Sequence, residues 1–366
     1  MLERRLYFHI DWLMLGAILL LCGISVAMVY STTFDPARNT ASRLYITQAY
    51  AIAIGLGVLV ACLGIDYRSL ADSSHFFYIL VIALLVYTLL FGSVVGGSRR
   101  WIPLRVFNLQ ASEFAKVALA LVLAKFFDES RRGNPSINDL LIGLGMTMLP
   151  FALIYKEPDL GTAVTLLPIF LGIAYLAGLK MRLFGVVLLA AVLMAPVAWK
   201  FALKDYQRSR ISTFVDPSQD PLGAGYQQIQ ARITVGSGGF WGKGFRKGTQ
   251  AQLKYLPVAQ NDFIFSALGE EQGLVGVLAT LGLYLFVILR SLETARLARD
   301  RLGTYLVIGV LSSFTFQVIY NITMSAGLAP VKGLTLPLMS YGGSSMIATL
   351  AGFGLILNVR MRRFTN

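Results

Sequence analysis

The chain has 366 residues, of which 56% are hydrophobic and 14% are charged, and its formal net charge is +13. Soluble domains average about 45–50% apolar and about 25% charged residues, so this composition excludes an ordinary water-soluble domain and favours a protein that lies in a bilayer. The positive charge requires no nucleic-acid partner, because Lys and Arg collect between apolar segments, where they set membrane topology. We also find no aromatic and basic module of the kind that binds RNA.

Ten apolar segments indicate membrane-spanning helices, since a bilayer core of ~30 Å needs about 20 apolar residues in helical form. In chain order they are Trp12–Tyr30, Tyr45–Ile65, Phe76–Phe91, Phe114–Phe127, Leu140–Tyr155, Thr162–Leu179, Leu183–Lys200, Phe263–Leu289, Tyr305–Gly327 and Tyr341–Val359. We predict an all-α integral membrane protein of about ten transmembrane helices, organised as a single polytopic domain over residues 1–366.

The distribution of Lys and Arg predicts the orientation. With a cytoplasmic amino terminus, the inner connections hold 14 of these residues and the short outer connections hold 7. An excess of positive charge marks the cytoplasmic side, so we place both termini in the cytoplasm. Arg4 and Arg5 precede the first span, and no small-residue cleavage site follows it, so we interpret that span as a retained helix.

Cysteine and histidine contribute little to the predicted chemistry. Cys22 and Cys62 lie inside predicted spans, which argues against a disulfide framework or a metal site. His9 and His75 stand alone near helix ends, and we assign them no catalytic role.

One connection, residues 202–261 between predicted helices seven and eight, is long and lies on the extracytoplasmic side. Connections of this length are usually functional. Within it, Ile229 and Ile233 are four residues apart, and this spacing predicts a short amphipathic helix over Tyr226–Val235 at the membrane interface.

A glycine-rich run, Gly236–Gly248, follows that helix and cannot be regularly helical. It predicts an irregular segment with close backbone approach; a flexible linker is the alternative. Lys243, Arg246 and Lys247 lie among the glycines. They could hold a phosphate or lipid head group, or they could face anionic lipid without a specific ligand.

The first charged cluster lies at the outer end of predicted spans three and four and includes Arg100, Glu113 and Lys116. Glu113 and Lys116 are three residues apart, so on a helix they share a face and can pair. One interpretation is a buried ion pair that stabilises the bundle. The other is an anion site in which Lys116 and Arg100 bind a diphosphate while Glu113 orients the lysine.

The remaining clusters also lie at predicted outer helix ends. Glu157 and Asp159 flank a proline between spans five and six, where their carboxylates could coordinate a cation or Asp159 could cap the next helix. Asp262 is the last charge before an apolar span, a position that by itself favours a helix cap. Ser340 and Tyr341 belong to a segment of small residues that would allow close helix packing or close approach to a ligand.

Several segments in this order resemble the SEDS family (shape, elongation, division and sporulation), and DPLGAGYQ and GTQAQ resemble its RodA branch. The segments are DYQRSR at 205–210, DPLGAGYQQIQARITVGSGG at 220–239, GKG at 242–244, NDFIF at 261–265 and PLMSYGGS at 337–344. The resemblance implies a ten-helix glycosyltransferase of the bacterial inner membrane that polymerises lipid II, the undecaprenyl-diphosphate-linked disaccharide. It also implies a class B penicillin-binding protein as partner.

The resemblance also implies roles for individual residues. Asp262 is the expected catalytic base for an inverting β-1,4 transfer, in which the acceptor hydroxyl loses its proton as the diphosphate departs. A divalent cation, Mg²⁺ or Mn²⁺, could help neutralise that diphosphate, although the sequence contains no decisive ligand motif. The expected substrate-binding residues are Arg100, Glu113, Lys116, Asp159, Arg208, Arg210, Lys243, Ser340 and Tyr341.

Four positions depart from the family pattern. Val258, Gln260 and Asn261 stand where the family often has Glu, His and Thr, and Ala111 replaces a usual proline. These changes weaken a role for residue 258 as a second carboxylate. Two rival functions are a lipid II flippase, which would distribute charges towards both leaflets, and a non-catalytic scaffold for the transpeptidase, which would leave the grouped charges unexplained.

Overall fold

The computed structural model describes residues 9–35, 39–95, 98–103, 108–130, 135–179, 205–220 and 223–363, together with the isolated positions 182, 185 and 193. The predicted seventh span, Leu183–Lys200, lies almost wholly outside these residues. The helices in chain order are α1 Trp12–Thr32, α2 Leu44–Gly64, α3 Tyr67–Asp72, α4 Ser74–Phe91, α5 Ala111–Glu129, α6 Ile137–Lys156, α7 Leu160–Val164, α8 Leu166–Ala177, α9 Asp205–Val215, α10 Ala224–Ser237, α11 Thr249–Gln252, α12 Ile264–Leu297, α13 Arg301–Ser325 and α14 Gly343–Met361.

The helices confirm the predicted all-α membrane architecture. Eight helical segments of the described chain are long and apolar enough to cross a membrane. Helix α5 is not one of these eight; it has 19 residues and carries Glu113 and Lys116 among buried apolar neighbours. Large apolar side chains such as Leu13, Tyr50 and Phe76 are more than half exposed, as expected where lipid replaces water as the surrounding solvent.

Two small antiparallel sheets were not predicted. One pairs β1 (Phe34–Asp35) with β2 (Thr40–Ala41) directly after α1. The other has the order β3–β4–β5, formed by Ser93–Val95, Ser98–Pro103 and Asn108–Leu109 between α4 and α5. Strand β4 carries Arg100, so this sheet fixes the position of a predicted site residue.

The core of the bundle is formed by α14 with α5 and α13. Most residues of α14 are buried, and the helix packs against α2, α13 and α5. Its Asn358 Nδ2 donates hydrogen bonds of 2.6 Å to the carbonyl oxygens of Cys62 and Ile65, and its Oδ1 accepts one of 3.2 Å from Tyr67 N–H. These bonds satisfy carbonyl groups at the end of α2, which otherwise lack helical partners. Both cysteines are free thiols.

Helix α12 is broken at Gly273, which has φ 64° and ψ −164°. Glycine adopts this positive φ without the steric cost of a side chain. The glycine-rich run satisfies both sides of the break: Lys243 N–H donates to Glu270 O (3.0 Å), and Leu274 N–H donates to Gly239 O (3.0 Å). The predicted irregular segment is confirmed, and the linker alternative is wrong, because the run is bonded to the broken helix.

The break means that only the part of α12 after Gly273 has the length of a membrane span. The preceding residues, 264–272, form a short helix whose two ends lie at different depths. At its amino-terminal end, Asn261 O accepts a hydrogen bond from Ser340 Oγ (2.5 Å), and the neighbouring Met339 O accepts one from Ser25 Oγ of α1 (2.8 Å). At its other end, Glu271 accepts a hydrogen bond from Ser31 Oγ (2.5 Å). Ser31 lies about 9 Å farther along α1 at 1.5 Å per residue. The short helix therefore runs outward from a deep start beside Asp262.

The long connection is mostly structured. It contains α9, a 3-10 turn at Pro217–Gln219, α10 and α11. The predicted amphipathic helix is confirmed as α10. Its Ala231 and Thr234 are buried, while Ile229 and Ile233 are 41% and 46% exposed.

Candidate active site

Asp262 lies at the deep amino-terminal end of the short helix. Phe263 occupies the N-cap position, and no side chain caps the helix. Within the described part of the chain, the Asp262 carboxylate makes no hydrogen bond, so the interpretation of Asp262 as a helix cap is wrong. The carboxylate faces Gly333, whose φ of 66° favours glycine and at which a Cβ atom would lie 3.4 Å from Asp262 Oδ2.

The electrostatic surroundings of Asp262 make it a usable base. Burial raises the pKa of Asp262 to about 6, because desolvation penalises its charged form. Arg100 and Arg210 oppose this effect by attraction, and Asp159 adds to it by repulsion. A carboxylate with this pKa is ionised at neutral pH but holds a proton more strongly than a free aspartate, as a general base requires.

A buried polar network holds the loop that carries Asp262. Asn321 Nδ2 donates to Asp262 O (2.9 Å) and Leu334 O (2.7 Å), and Ser340 Oγ donates to Asn261 O (2.5 Å). Tyr341 N–H donates to Gln260 O (2.9 Å). Ser340 and Tyr341 thus position the Asp262 loop; their predicted contact with substrate stays a prediction.

Asp159 forms the second part of the site. Its carboxylate accepts hydrogen bonds from Thr162 N–H (3.1 Å) and Gln110 Nε2 (2.9 Å), and it pairs with Arg100 Nη1 at 3.1 Å. The predicted capping role is confirmed. The ion pair joins β4 to the start of α7 and fixes Arg100 close enough to act on Asp262.

Arg208 and Arg210 lie on α9, two residues apart. Residues with this spacing do not face each other on a helix, and Arg210 is the one that acts on the carboxylate of Asp262. Arg210 also lowers the pKa of Lys332, an effect secondary to burial. The predicted substrate contacts of both arginines stay predictions.

Lys116 and Glu113 form the predicted ion pair, with 2.7 Å between Nζ and Oε2. Both side chains are buried, and Lys116 Nζ also donates to Gln317 Oε1 at 3.0 Å on α13. Lys116 lines a cavity of only about 20 Å³. These contacts account for the pair as a link between α5 and α13, while the proposed contact of Lys116 with a diphosphate stays a prediction.

Lys243 is tied to the broken helix. Its Nζ lies 2.6 Å from Glu270 Oε1 and 2.9 Å from Thr249 Oγ1. Glu270 is fully buried and also accepts hydrogen bonds from Thr249 N–H (3.0 Å) and Gln250 N–H (3.2 Å). Lys243 therefore neutralises a buried carboxylate, and its predicted substrate contact stays a prediction.

Sequence reasoning missed three residues around the site, Lys332, Gln110 and Asn321, and it grouped Glu157 with Asp159 without giving it a separate role. Glu157 is buried, and burial raises its pKa to about 7. Asn321 is fully buried within α13; a polar amide inside an apolar span was the signal that could have identified it, because such groups need a partner in the membrane. Lys332 carried no comparable signal, whereas Glu157, shortly after predicted span five, is a charge next to a span.

In the part of the chain that the structure describes, no three His, Cys, Asp or Glu side chains come together as a metal site would require. Arg100, Arg210 and Lys332 are positive groups near the Asp262 loop that could face a diphosphate. The divalent cation considered from the sequence stays a prediction.

The fold defines a multi-pass membrane protein, and its candidate site lies at the end of the bundle opposite the start of α1 and the end of α14. A family profile described as a cell cycle protein, FtsW/RodA/SpoVE, matches residues 11–364. The chain belongs to this family, which is also known as SEDS.

Similar proteins and structures cover nearly the whole chain. The peptidoglycan glycosyltransferase MrdB of Escherichia coli (strain K12) is 38% identical over 355 residues, which are 97% of this chain and 94% of that protein. The peptidoglycan glycosyltransferase RodA of Treponema pallidum is 31% identical over 96% of this chain and 98% of its own.

Two solved structures share the fold. One, described as the structural coordination of polymerization and crosslinking by a peptidoglycan synthase complex, has a TM-score of 0.84 and 31% identity over 98% of this chain and 99% of the matched chain. The other, the rod shape determining protein RodA of Thermus thermophilus, has a TM-score of 0.73 and 28% identity over 98% of each chain.

Proposed function

We propose that this chain is a peptidoglycan glycosyltransferase that polymerises lipid II in the bacterial inner membrane and supports cell elongation. The observation that carries the proposal is Asp262: a carboxylate with a raised pKa and without a hydrogen-bond partner among the described residues, set close to Arg100 and Arg210. The names of the E. coli and T. pallidum relatives support the same activity.

The arrangement fits an inverting transfer. Asp262 takes the proton from the acceptor hydroxyl, the hydroxyl oxygen attacks the anomeric carbon, and the bond to the diphosphate breaks from the opposite face. The leaving diphosphate carries negative charge, which Arg100 and Arg210 stabilise. Asp159 holds Arg100 in place through its 3.1 Å ion pair. A bidentate guanidinium suits diphosphate oxygens.

The two rival functions account for fewer observations. A flippase needs no proton acceptor, so it leaves the raised pKa of Asp262 unused. A scaffold needs neither Asp262 nor the basic groups around it.

A transpeptidase partner is part of the proposal, because the solved complex couples polymerization to crosslinking. We propose a class B penicillin-binding protein with its own membrane helix. Gly269 and Gly273 are buried against α10 and the glycine-rich run, so they are not available to pack against the partner's membrane helix. The exposed apolar residues Leu274, Val275 and Leu278 are the better candidates on α12.

A reconstituted polymerisation assay tests the function. Purified protein, with and without a class B penicillin-binding protein, is mixed with labelled lipid II, and glycan strands are separated by length. We expect polymer from the wild type and more polymer with the partner. Transfer of intact lipid II across vesicles without polymer would favour the flippase. Full activity of the isolated chain, unchanged by any partner, would contradict the coupling.

A further inference from the structure

A cavity opens between the β1–β2 hairpin and the loop 251–260. Its volume is about 690 Å³, which falls within the range of about 300–1,000 Å³ typical of ligand sites. We call it the hairpin cavity. One wall is the end of α1 with the hairpin, and the other is the segment that leads into Asp262.

The lining of the hairpin cavity is polar but nearly neutral. Hydroxyl groups come from Thr33, Thr40 and Ser42, and amides come from Gln252 and Gln260. Asp35 and Lys254 add one charge of each sign. Hydroxyls and amides both donate and accept hydrogen bonds, and apolar residues lie between them. This chemistry suits the hydroxyl-rich edges and apolar faces of a saccharide better than it suits a diphosphate.

The hairpin cavity is adjacent to the loop that carries the proposed base, although Asp262 itself does not line it. Gln260, which lines it, precedes Asp262 by two residues, a chain distance of at most ~7 Å. Asp262 N–H also bonds to the carbonyl of Val258 in the cavity wall (3.3 Å). Val258 has φ 52° and is 44% exposed. A β-branched residue at positive φ is strained, and such strain concentrates at ligand sites.

The arginines that act on the Asp262 carboxylate, Arg100 and Arg210, are not part of the hairpin cavity. An inverting transfer needs the leaving group and the attacking hydroxyl on opposite faces of the sugar. The leaving diphosphate requires positive groups, whereas the acceptor sugar is uncharged at its reacting end.

We propose that the hairpin cavity binds the saccharide of the acceptor, the N-acetylhexosamine units whose hydroxyl is deprotonated by Asp262. This inference rests on the proposed glycosyltransferase function and adds where the acceptor lies. It assigns a binding role to the β1–β2 hairpin and to Gln260, one of the positions that departs from the family pattern.

Blocking the cavity tests the proposal. Ser42 is exposed at the cavity wall, and its side chain makes no hydrogen bond within the described residues, so Ser42→Trp adds bulk without removing a contact. Thr40→Trp repeats the block at a second exposed lining position. Leu328→Trp is the matched control, because Leu328 is 73% exposed and lies outside the cavity.

Two measurements are made on each full-length variant in detergent. The first is polymer length and rate from labelled lipid II. The second is binding of a soluble tetrasaccharide of alternating N-acetylglucosamine and N-acetylmuramic acid, which carries neither lipid nor diphosphate. We expect Ser42→Trp and Thr40→Trp to lose tetrasaccharide binding and to slow elongation on the order of 10²-fold, since misplaced reactants lose that much. Leu328→Trp should match the wild type.

The outcomes separate this proposal from the proposed function. Wild-type polymer length and tetrasaccharide binding in either folded cavity variant would overturn the cavity assignment, while leaving the function intact. A defect that appears only when the partner is present would also overturn it, because the cavity would then be a protein contact. A wild-type chain that makes no polymer but still binds the tetrasaccharide would contradict the function alone.

Discussion

Asp11 and Asp262 lie in charged clusters at opposite ends of the bundle, and their pKa values shift in opposite directions. At the end that carries the chain termini, Asp11 lies 2.8 Å from Arg290 and 3.2 Å from Arg360, and both arginines also reach Glu293. We call these four residues the Asp11 cluster. Burial alone would raise the pKa of Asp11, but hydrogen bonds from Arg290 and Met14 N–H outweigh it, so its pKa is lowered.

At the other end, burial dominates and the pKa of Asp262 rises to about 6. The two arginines that attract it, Arg100 and Arg210, make no hydrogen bond to it within the described residues. A carboxylate that is fully paired stabilises the fold, and one left unpaired retains proton affinity for chemistry. Both aspartates stand just before a helix, yet the pKa of Asp11 is lowered by its partners whereas that of Asp262, the proposed base, is raised.

Replacing Asp262 by Asn should have the largest effect. An amide cannot accept the proton, so polymer yield should fall about 10²–10⁴-fold. Removing an unpaired buried charge should leave the melting temperature at neutral pH unchanged or higher. Polymerisation of labelled lipid II and a thermal melt of the same preparation measure the two effects. Wild-type polymer yield would remove Asp262 as the base.

Replacing Asp11 by Ala should affect stability rather than chemistry. Among the described residues, Arg290 and Arg360 would keep only Glu293 as a carboxylate partner, so the cost should be below the about 3–5 kcal/mol typical of a buried pair broken outright. We expect a lower melting temperature but near-normal polymer per folded molecule. A stable protein with lost activity would show that the Asp11 cluster is not merely structural.

Replacing Lys116 by Ala tests whether this buried lysine acts in structure, like Asp11, or in the reaction, as proposed for Asp262. If Lys116 binds a diphosphate oxygen, as the resemblance implies, activity should fall at least about tenfold while the protein still folds. Glu113→Gln is the matched control, because it removes the ion pair but keeps the lysine. Near-normal polymer from Lys116→Ala, with a lower melting temperature in both variants, would show the pair to be structural.

A small effect on thermal stability is expected at Glu157, whose pKa is raised to about 7 chiefly by burial. A carboxyl whose folded pKa exceeds its unfolded value stabilises the fold below the unfolded pKa, and that stability is lost as pH rises through the folded pKa. The wild type should therefore lose a few degrees of melting temperature between about pH 4.5 and 7. Glu157→Gln, which resembles the neutral acid, should flatten that dependence. Equal pH dependence in both proteins would show that Glu157 does not hold this proton.

The rate should depend on pH through Asp262. Because the base must be ionised, activity should rise with pH and approach a plateau above about pH 6. The initial rate of polymerisation between pH 5 and 8 measures this, and a flat profile across pH 6 would contradict the assignment. Glu157→Gln is the control, since it should retain the same rising limb.

The membrane architecture is predictable from the sequence alone, because each spanning helix needs a long apolar run and such runs are visible without knowledge of the fold. The sequence also singled out Asp262, Arg100 and Asp159 as charges next to spans, which are costly, but the role of Asp262 as base came with the family resemblance. The pairing of Lys116 with Glu113 was predictable for the same local reason, a spacing of three residues on a helix.

Which charges are paired could be learned only from the fold. The sequence allowed a capping role for both Asp159 and Asp262. In the structure Asp159 caps a helix, because its carboxylate accepts a hydrogen bond from Thr162 N–H. Among the described residues, no backbone N–H of the helix after Asp262 donates to its carboxylate. Likewise, Lys243 could not be matched to Glu270 from a separation of 27 residues along the chain. Burial and long-range pairing set each pKa, and both depend on neighbours that are distant in sequence.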